Sequence, residues 1–141
     1  MKNQAQTSYQ ITLEKSKLNV AKSLTFLLYT EDLDFAQSLS MLFRRDFHKV
    51  ITVNDRENFL SIIKFIKPNF IIIDSLLNES LYNLLLQIKS HATNSKVYVF
   101  TSYRYEQTEL EHKLKSLVDR TFFQPIDLSE FTQEILFQAG D

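Results

Sequence analysis

The chain has no cysteine. Disulfides, thiolate metal sites and cysteine nucleophiles are therefore excluded, and the absence suits a reducing compartment. Its single glycine, Gly140, lies at the C-terminal end. This removes both the P-loop and the dinucleotide fingerprint, which need several glycines where the backbone approaches phosphate. The formal net charge of −1 lacks the positive excess of a nucleic-acid binder held by bulk electrostatics. No apolar run approaches the length of a membrane span. The polar opening "MKNQAQTSYQ" has no apolar core of a signal peptide. Together these absences predict a cytoplasmic protein with no nucleic-acid and no membrane partner. His48, His91 and His112 fall in separate segments without metal-ligand spacing, and they read as surface histidines.

What remains is an ordinary globular composition. Of the 141 residues, 44% are hydrophobic and 23% charged, which fits one folded domain. A domain of this size buries about 68–70% of its unfolded surface, enough for a core without staples. Residues 1–23 are polar, mixed in charge and without a clean period, and they read as an N-terminal tail or extension. The domain is expected over 24–141.

From Leu24 a rhythm begins. Short apolar, β-branched or aromatic runs alternate with amphipathic stretches of helical period. "LTFLLYT" (24–30), "HKVITV" (48–53), "NFIIID" (69–74), "KVYVFTS" (96–102) and "RTFF" (120–123) read as strands. Between and after them, helical spacing places Phe35, Leu39, Leu42 and Phe43 together. It does the same for Phe59, Ile62, Ile63 and Ile66, and for Leu81, Leu84, Leu85 and Ile88. Leu110, Leu114 and Leu117 follow, then Leu128, Phe131 and Ile135. Asn54 with Glu57 three residues on predicts a capping box for the second helix, and Pro68 stops that helix. Arg44, Arg45 and Lys49 form a small basic cluster, with the arginines placed to complement a helix C-terminus.

Strict strand–helix alternation predicts a parallel sheet with helices on both faces. Strands covered on both sides are apolar throughout, as "TFLLY", "FIII" and "VYVF" are. In such a sheet, ligands bind beyond the carboxyl ends of the strands. Polar groups collect at those ends: Thr30, Glu31 and Asp32 after the first strand, Asp74 after the third, Thr101 and Ser102 after the fourth, and Gln124 after the fifth. Read alone, Asp74 is a cap or loop carboxylate, and Glu31 and Asp32 are a solvated turn capping the first helix.

Taken together over about residues 24–138, the pattern resembles the receiver domain of two-component response regulators. "PNFIIIDSLL" is similar to that family's third strand and its phosphoacceptor aspartate. "LLYTEDLDFAQSL" is similar to its first strand and acidic pair. "VYVFTS" is similar to the fourth strand with a switch hydroxyl. "VDRTFFQPID" is similar to the fifth strand, where a Lys-Pro pair is expected. The resemblance implies a flavodoxin-like (CheY-like), doubly wound α/β fold: five parallel strands in the order 2-1-3-4-5 with five helices.

Carried over residue by residue, the resemblance implies that Asp74 accepts a phosphoryl group. Thr101 is the switch hydroxyl. Glu31, Asp74 and the backbone carbonyl of Leu76 hold Mg²⁺, with Asp32 as a further ligand if the loop shifts. The chemistry needs in-line placement and charge neutralisation more than covalent help, and Mg²⁺ favours carboxylates, a carbonyl and waters. The departures are specific. Thr30 stands at the first position of the acidic pair. Gln124 replaces the lysine and carries no charge, whereas charge-assisted bonds are roughly twice as strong as neutral ones. Thr121 stands where many receivers keep an aromatic. "SLLNES" after Asp74 lacks the usual proline and glycine.

Two readings follow from this resemblance. One is a pseudo-receiver acting through protein–protein interaction, with Mg²⁺ weakly held or absent. The other is a working single-domain response regulator phosphorylated on Asp74 with Mg²⁺. A third, an unrelated small α/β enzyme using the same edge, is disfavoured because no histidine or second strong nucleophile lies nearby. Neither of the first two is an enzyme beyond accepting a phosphoryl group on Asp74. The expected partners are signalling proteins, a histidine kinase or an effector. They would meet the face from the fourth helix to the fifth, with Tyr103 and Tyr105 as contact residues. The chain ends just after the last helix, so no output domain is expected on it.

Overall fold

The computed structural model describes residues 24–45, 48–92, 94–102, 108–125 and 127–139. The expected N-terminal tail, and with it Tyr103 and Tyr105, lies outside the described residues. The elements are β1 (Thr25–Tyr29), α1 (Leu33–Arg44), β2 (Lys49–Val53), α2 (Arg56–Phe65), β3 (Phe70–Asp74), α3 (Glu79–His91), β4 (Lys96–Ser102), α4 (Thr108–Leu114), β5 (Arg120–Gln124) and α5 (Leu128–Ala139). The strands form one parallel sheet in the order β2-β1-β3-β4-β5. This is the doubly wound, five-helix α/β architecture expected from the alternation.

The helices start where short polar side chains can accept from free backbone amides. The carboxylate of Asp32 accepts from Asp34 N at 3.0 Å and Phe35 N at 3.1 Å, opening α1. Asn78 Oδ1 accepts from Leu81 N at 2.8 Å, opening α3. At α2 the cap is Asp55, not Asn54: its Oδ1 accepts from Asn58 N at 2.8 Å, and its Oδ2 accepts from the Asn58 side chain. The helix begins one residue later than the Asn54–Glu57 pattern predicts, because Asp55 supplies two carboxylate oxygens to Asn58. The same helix ends at Phe65, with Ile66 already extended ahead of Pro68, as a proline two residues on requires.

Successive strand residues point to opposite faces, and each face has its own core. On the α1–α5 side, Phe26, Leu28, Phe70, Ile72, Tyr98, Phe100 and Phe122 pack with Leu39, Phe43, Phe131 and Ile135. This layer is aromatic, with Phe26 stacked on Phe43 at 3.9 Å and Phe122 edge-on to Phe131 at 4.6 Å. On the α2–α4 side, Leu27, Ile71, Ile73, Val97 and Val99 pack with Ile63, Leu81, Leu84, Leu85, Ile88 and Leu114. The buried residues of that layer are aliphatic apart from Phe59, which stacks on the half-buried Tyr29 at 5.0 Å. Each fully buried aliphatic or phenyl side chain contributes about 1.5–3 kcal/mol, so β3, whose first four residues are all buried, anchors both layers.

His48 departs from the surface reading. It is half-buried, its Nδ1 accepts from Leu24 N at 3.2 Å, and its ring meets Phe26 edge-on. Its place at the entry to β2 makes it a tether between the starts of β1 and β2. Arg44 also reaches across this edge, its guanidinium donating to the Val50 carbonyl at 3.2 Å. No helix among the described residues is long and apolar enough to cross a membrane.

Candidate functional site

The register of the sheet decides which strand ends meet. Tyr29 pairs with Ile73, so Thr30, the next residue, falls level with Asp74. Asp74 pairs with Phe100, so Thr101 lies one step beyond it on the neighbouring strand. Ser102 pairs with Gln124 on β5. One cleft of about 400 Å³ results, lined by Tyr29, Thr30, Glu31, Asp32, Asp74, Ser75, Leu76, Asn78, Thr101, Ser102 and Gln124. The six residues singled out from the sequence, Glu31, Asp32, Asp74, Leu76, Thr101 and Gln124, all line it.

The charge that ends the apolar β3 thus lies half-buried at the mouth of this cleft. Asp74 Oδ2 accepts a 2.6 Å hydrogen bond from Thr30 Oγ1, and Thr30 Oγ1 in turn accepts from Asp32 N at 3.0 Å. Burial pushes the Asp74 carboxyl above its ordinary pKa. The Thr30 hydroxyl opposes that rise by stabilising the charged form, and the charge of Asp32 adds to it. Asp32 is at the same time the N-cap of α1. Ser75 N donates to the Phe100 carbonyl at 3.2 Å, and Ser75 Oγ donates to the Leu76 carbonyl at 2.9 Å.

The other side of the cleft is less complete. Thr101 is 2% exposed, and its Oγ1 has no hydrogen-bond partner among the described residues. A buried hydroxyl without a partner costs about 1–3 kcal/mol. Ser102 Oγ reaches Gln124 Oε1 at 3.5 Å, a long contact. Gln124 itself is exposed, and the Gln124–Pro125 peptide is cis. Among the described residues, no lysine lines this cleft.

A hard cation such as Mg²⁺ takes oxygen ligands only, one or two carboxylates with carbonyls and waters. Here one Asp74 oxygen accepts from Thr30, and one Asp32 oxygen accepts from two amides. The Leu76 carbonyl accepts from Ser75. Among the described residues, no group of three His, Asp or Glu side chains is placed to hold a metal ion. The donor set does not fit a tightly held divalent cation.

Thr30 is the residue whose part the sequence reading missed. There it appears as one polar group at the end of the first strand and as a missing acid, not as a partner of Asp74. In the structure it is 3% exposed and is the direct partner of Asp74. Counting residues from the paired ends of β1 and β3 would have found it. Asn78 and Ser75 also went unmarked, because a loop's path back to the sheet edge has no period to read.

No family model matches the sequence, and no curated protein matches it. Solved structures do match. A response regulator receiver domain protein (CheY-like) from Methanospirillum hungatei superposes with a TM-score of 0.73 at 15% identity, covering 83% of this chain and 94% of that one. A response regulator from Thermotoga maritima gives 0.70 at 17% identity, covering 84% of this chain and 99% of that one. A response regulator protein from Burkholderia pseudomallei, with a phosphorylated aspartic acid, a calcium ion and citrate, gives 0.65 at 17% identity, covering 83% of this chain and 69% of that one. By element order, sheet order and superposition, the chain has the fold of response regulator receiver domains.

Proposed function

We propose that this protein is a receiver-like module of a two-component or phosphorelay system that acts by binding other proteins, with its phosphoryl chemistry weakened. The single observation that carries this is the contact between Thr30 and Asp74. A neutral hydroxyl bonds the aspartate where the resemblance expects a second carboxylate, and the opposite wall offers Gln124 rather than a lysine. Phosphoryl transfer depends on neutralising charge on the moving group. Two sources of positive charge, a firmly held cation and an ammonium, are thus weakened or missing. In this reading Mg²⁺ binds weakly at most, with Glu31, Asp74 and the Leu76 carbonyl as its ligands and Asp32 held back by its capping role. The domain proper begins at residue 24, and residues 1–23 are an extension of it.

Function then rests on surfaces. We assign the docking surface to the α4–β5–α5 face; on α5, Phe137 is 73% exposed. The partner class is another signalling protein, a histidine kinase or an effector. The module turns over no substrate.

A working single-domain response regulator is the second reading, and one observation favours it. The buried, unpartnered hydroxyl of Thr101 faces the cleft, where a phosphoryl oxygen on Asp74 would complete it. One experiment separates the two. The protein is incubated with a small-molecule phosphodonor and Mg²⁺, and its intact mass is followed. The first reading expects no gain. A base-labile gain of one phosphoryl group that disappears in Asp74→Asn would establish the second.

A further inference from the structure

The disagreement between this cleft and a cation site has a definite chemical origin. A threonine hydroxyl has one proton to donate and two lone pairs. Thr30 gives its proton to Asp74 Oδ2 at 2.6 Å and takes the Asp32 amide at 3.0 Å. The first distance lies in the short range of charge-assisted O–H···O⁻ bonds. Asp32 then caps α1 through its side chain. One buried hydroxyl therefore joins the end of β1, the start of α1 and the end of β3.

We propose that Thr30 ties the cleft together as a positioning residue in place of a divalent cation, so that the site assembles without metal and the residue at position 30 governs its cation response. This rests on the receiver-like reading of the cleft. A cation approaching Asp74 Oδ2 must compete with the Thr30 proton. An aspartate at position 30 has no such proton at neutral pH. Its carboxylate would face that of Asp74, a like-charge pair that is unfavourable without a counter-ion. Together with Glu31 and the Leu76 carbonyl it supplies hard oxygen ligands for Mg²⁺ or Mn²⁺. Charge, not shape, makes the difference, because the register that brings positions 30 and 74 level belongs to the backbone.

The test uses the full chain and four proteins: wild type, Thr30→Ser, Thr30→Val and Thr30→Asp. Each is titrated with MgCl₂ and MnCl₂ by calorimetry and by thermal unfolding. The wild type and Thr30→Ser are expected to melt alike with or without cation. Thr30→Val is expected to melt several degrees lower and to gain no cation response. Thr30→Asp is expected to melt lower in chelator, to recover with Mg²⁺, and to bind Mn²⁺ at least about tenfold more tightly than the wild type, a difference of about 1.4 kcal/mol. Equal cation affinity in the wild type and Thr30→Asp overturns the proposal. If Thr30→Asp does not fold under any condition, the Ser and Val pair decides: equal melting of Thr30→Val and the wild type overturns the tie. Phosphoryl uptake by the wild type, measured separately, would overturn only the weakened-site reading. Absent uptake with equal cation affinities would overturn only the tie.

Discussion

On the β1–β3 side of the cleft, two hydrogen bonds run in line from the Asp32 amide through the Thr30 hydroxyl to Asp74. On the β4–β5 side, Thr101 is buried with no partner among the described residues, and Gln124 meets Ser102 at 3.5 Å. Both sides are strand ends of the same sheet, and both bury a threonine there, Thr30 one residue beyond β1 and Thr101 next to last in β4. The difference teaches where the site keeps its strength. The first side is complete in the protein alone. The second leaves a buried hydroxyl without a partner among the described residues.

The comparison is tested most sharply by making the same change on each side. Thr30→Val should destabilise the protein by about 2 kcal/mol at neutral pH, since it removes a hydrogen bond to a charged group and leaves the Asp32 amide without its acceptor. Urea unfolding measures this as a lower midpoint at unchanged slope. Thr101→Val should move stability the other way, by about 1 kcal/mol, because it removes a desolvated hydroxyl that has no partner. A loss at Thr101 comparable to that at Thr30 would erase the distinction.

A smaller effect concerns proton uptake on the completed side. Asp74 holds its proton to a higher pH in the fold than in the unfolded chain, mainly through burial. The folded state therefore binds more protons between the unfolded value, near the ordinary 3.8, and the raised folded value. Its contribution to stability is full below that window and is lost as pH rises through it. Asp74→Asn should flatten this fall in a series of unfolding midpoints against pH. A wild type whose stability instead rises across the window, with Asp74→Asn abolishing the rise, would show that the Thr30 bond outweighs burial.

The smallest structural effect is expected at the exposed Gln124. Gln124→Lys should change stability by no more than about 0.5 kcal/mol. It should nevertheless tighten binding of a phosphoryl analogue such as beryllium fluoride in the presence of Mg²⁺, since an ammonium adds a charge where an amide has none. No change in analogue binding would show that residue 124 does not command the open side.

The sequence alone determined the architecture. Five apolar strand runs alternating with amphipathic helices leave few sheets to build, and the observed order β2-β1-β3-β4-β5 is the one the resemblance implied. It also identified the acids, hydroxyl and amide that line the cleft, because residue type and strand-end position are both local facts. The start of α2 was legible to within a residue, and Asp55 rather than Asn54 shows the limit, since either can cap and only side-chain reach decides. The tertiary structure decided how those residues are partnered. Thr30 bonding Asp74, His48 drawn under Leu24 and Thr101 left without a partner among the described residues all depend on strand register and on distances of about 3 Å. Such distances arise between residues 24 to 44 positions apart in the chain, where no sequence period reaches.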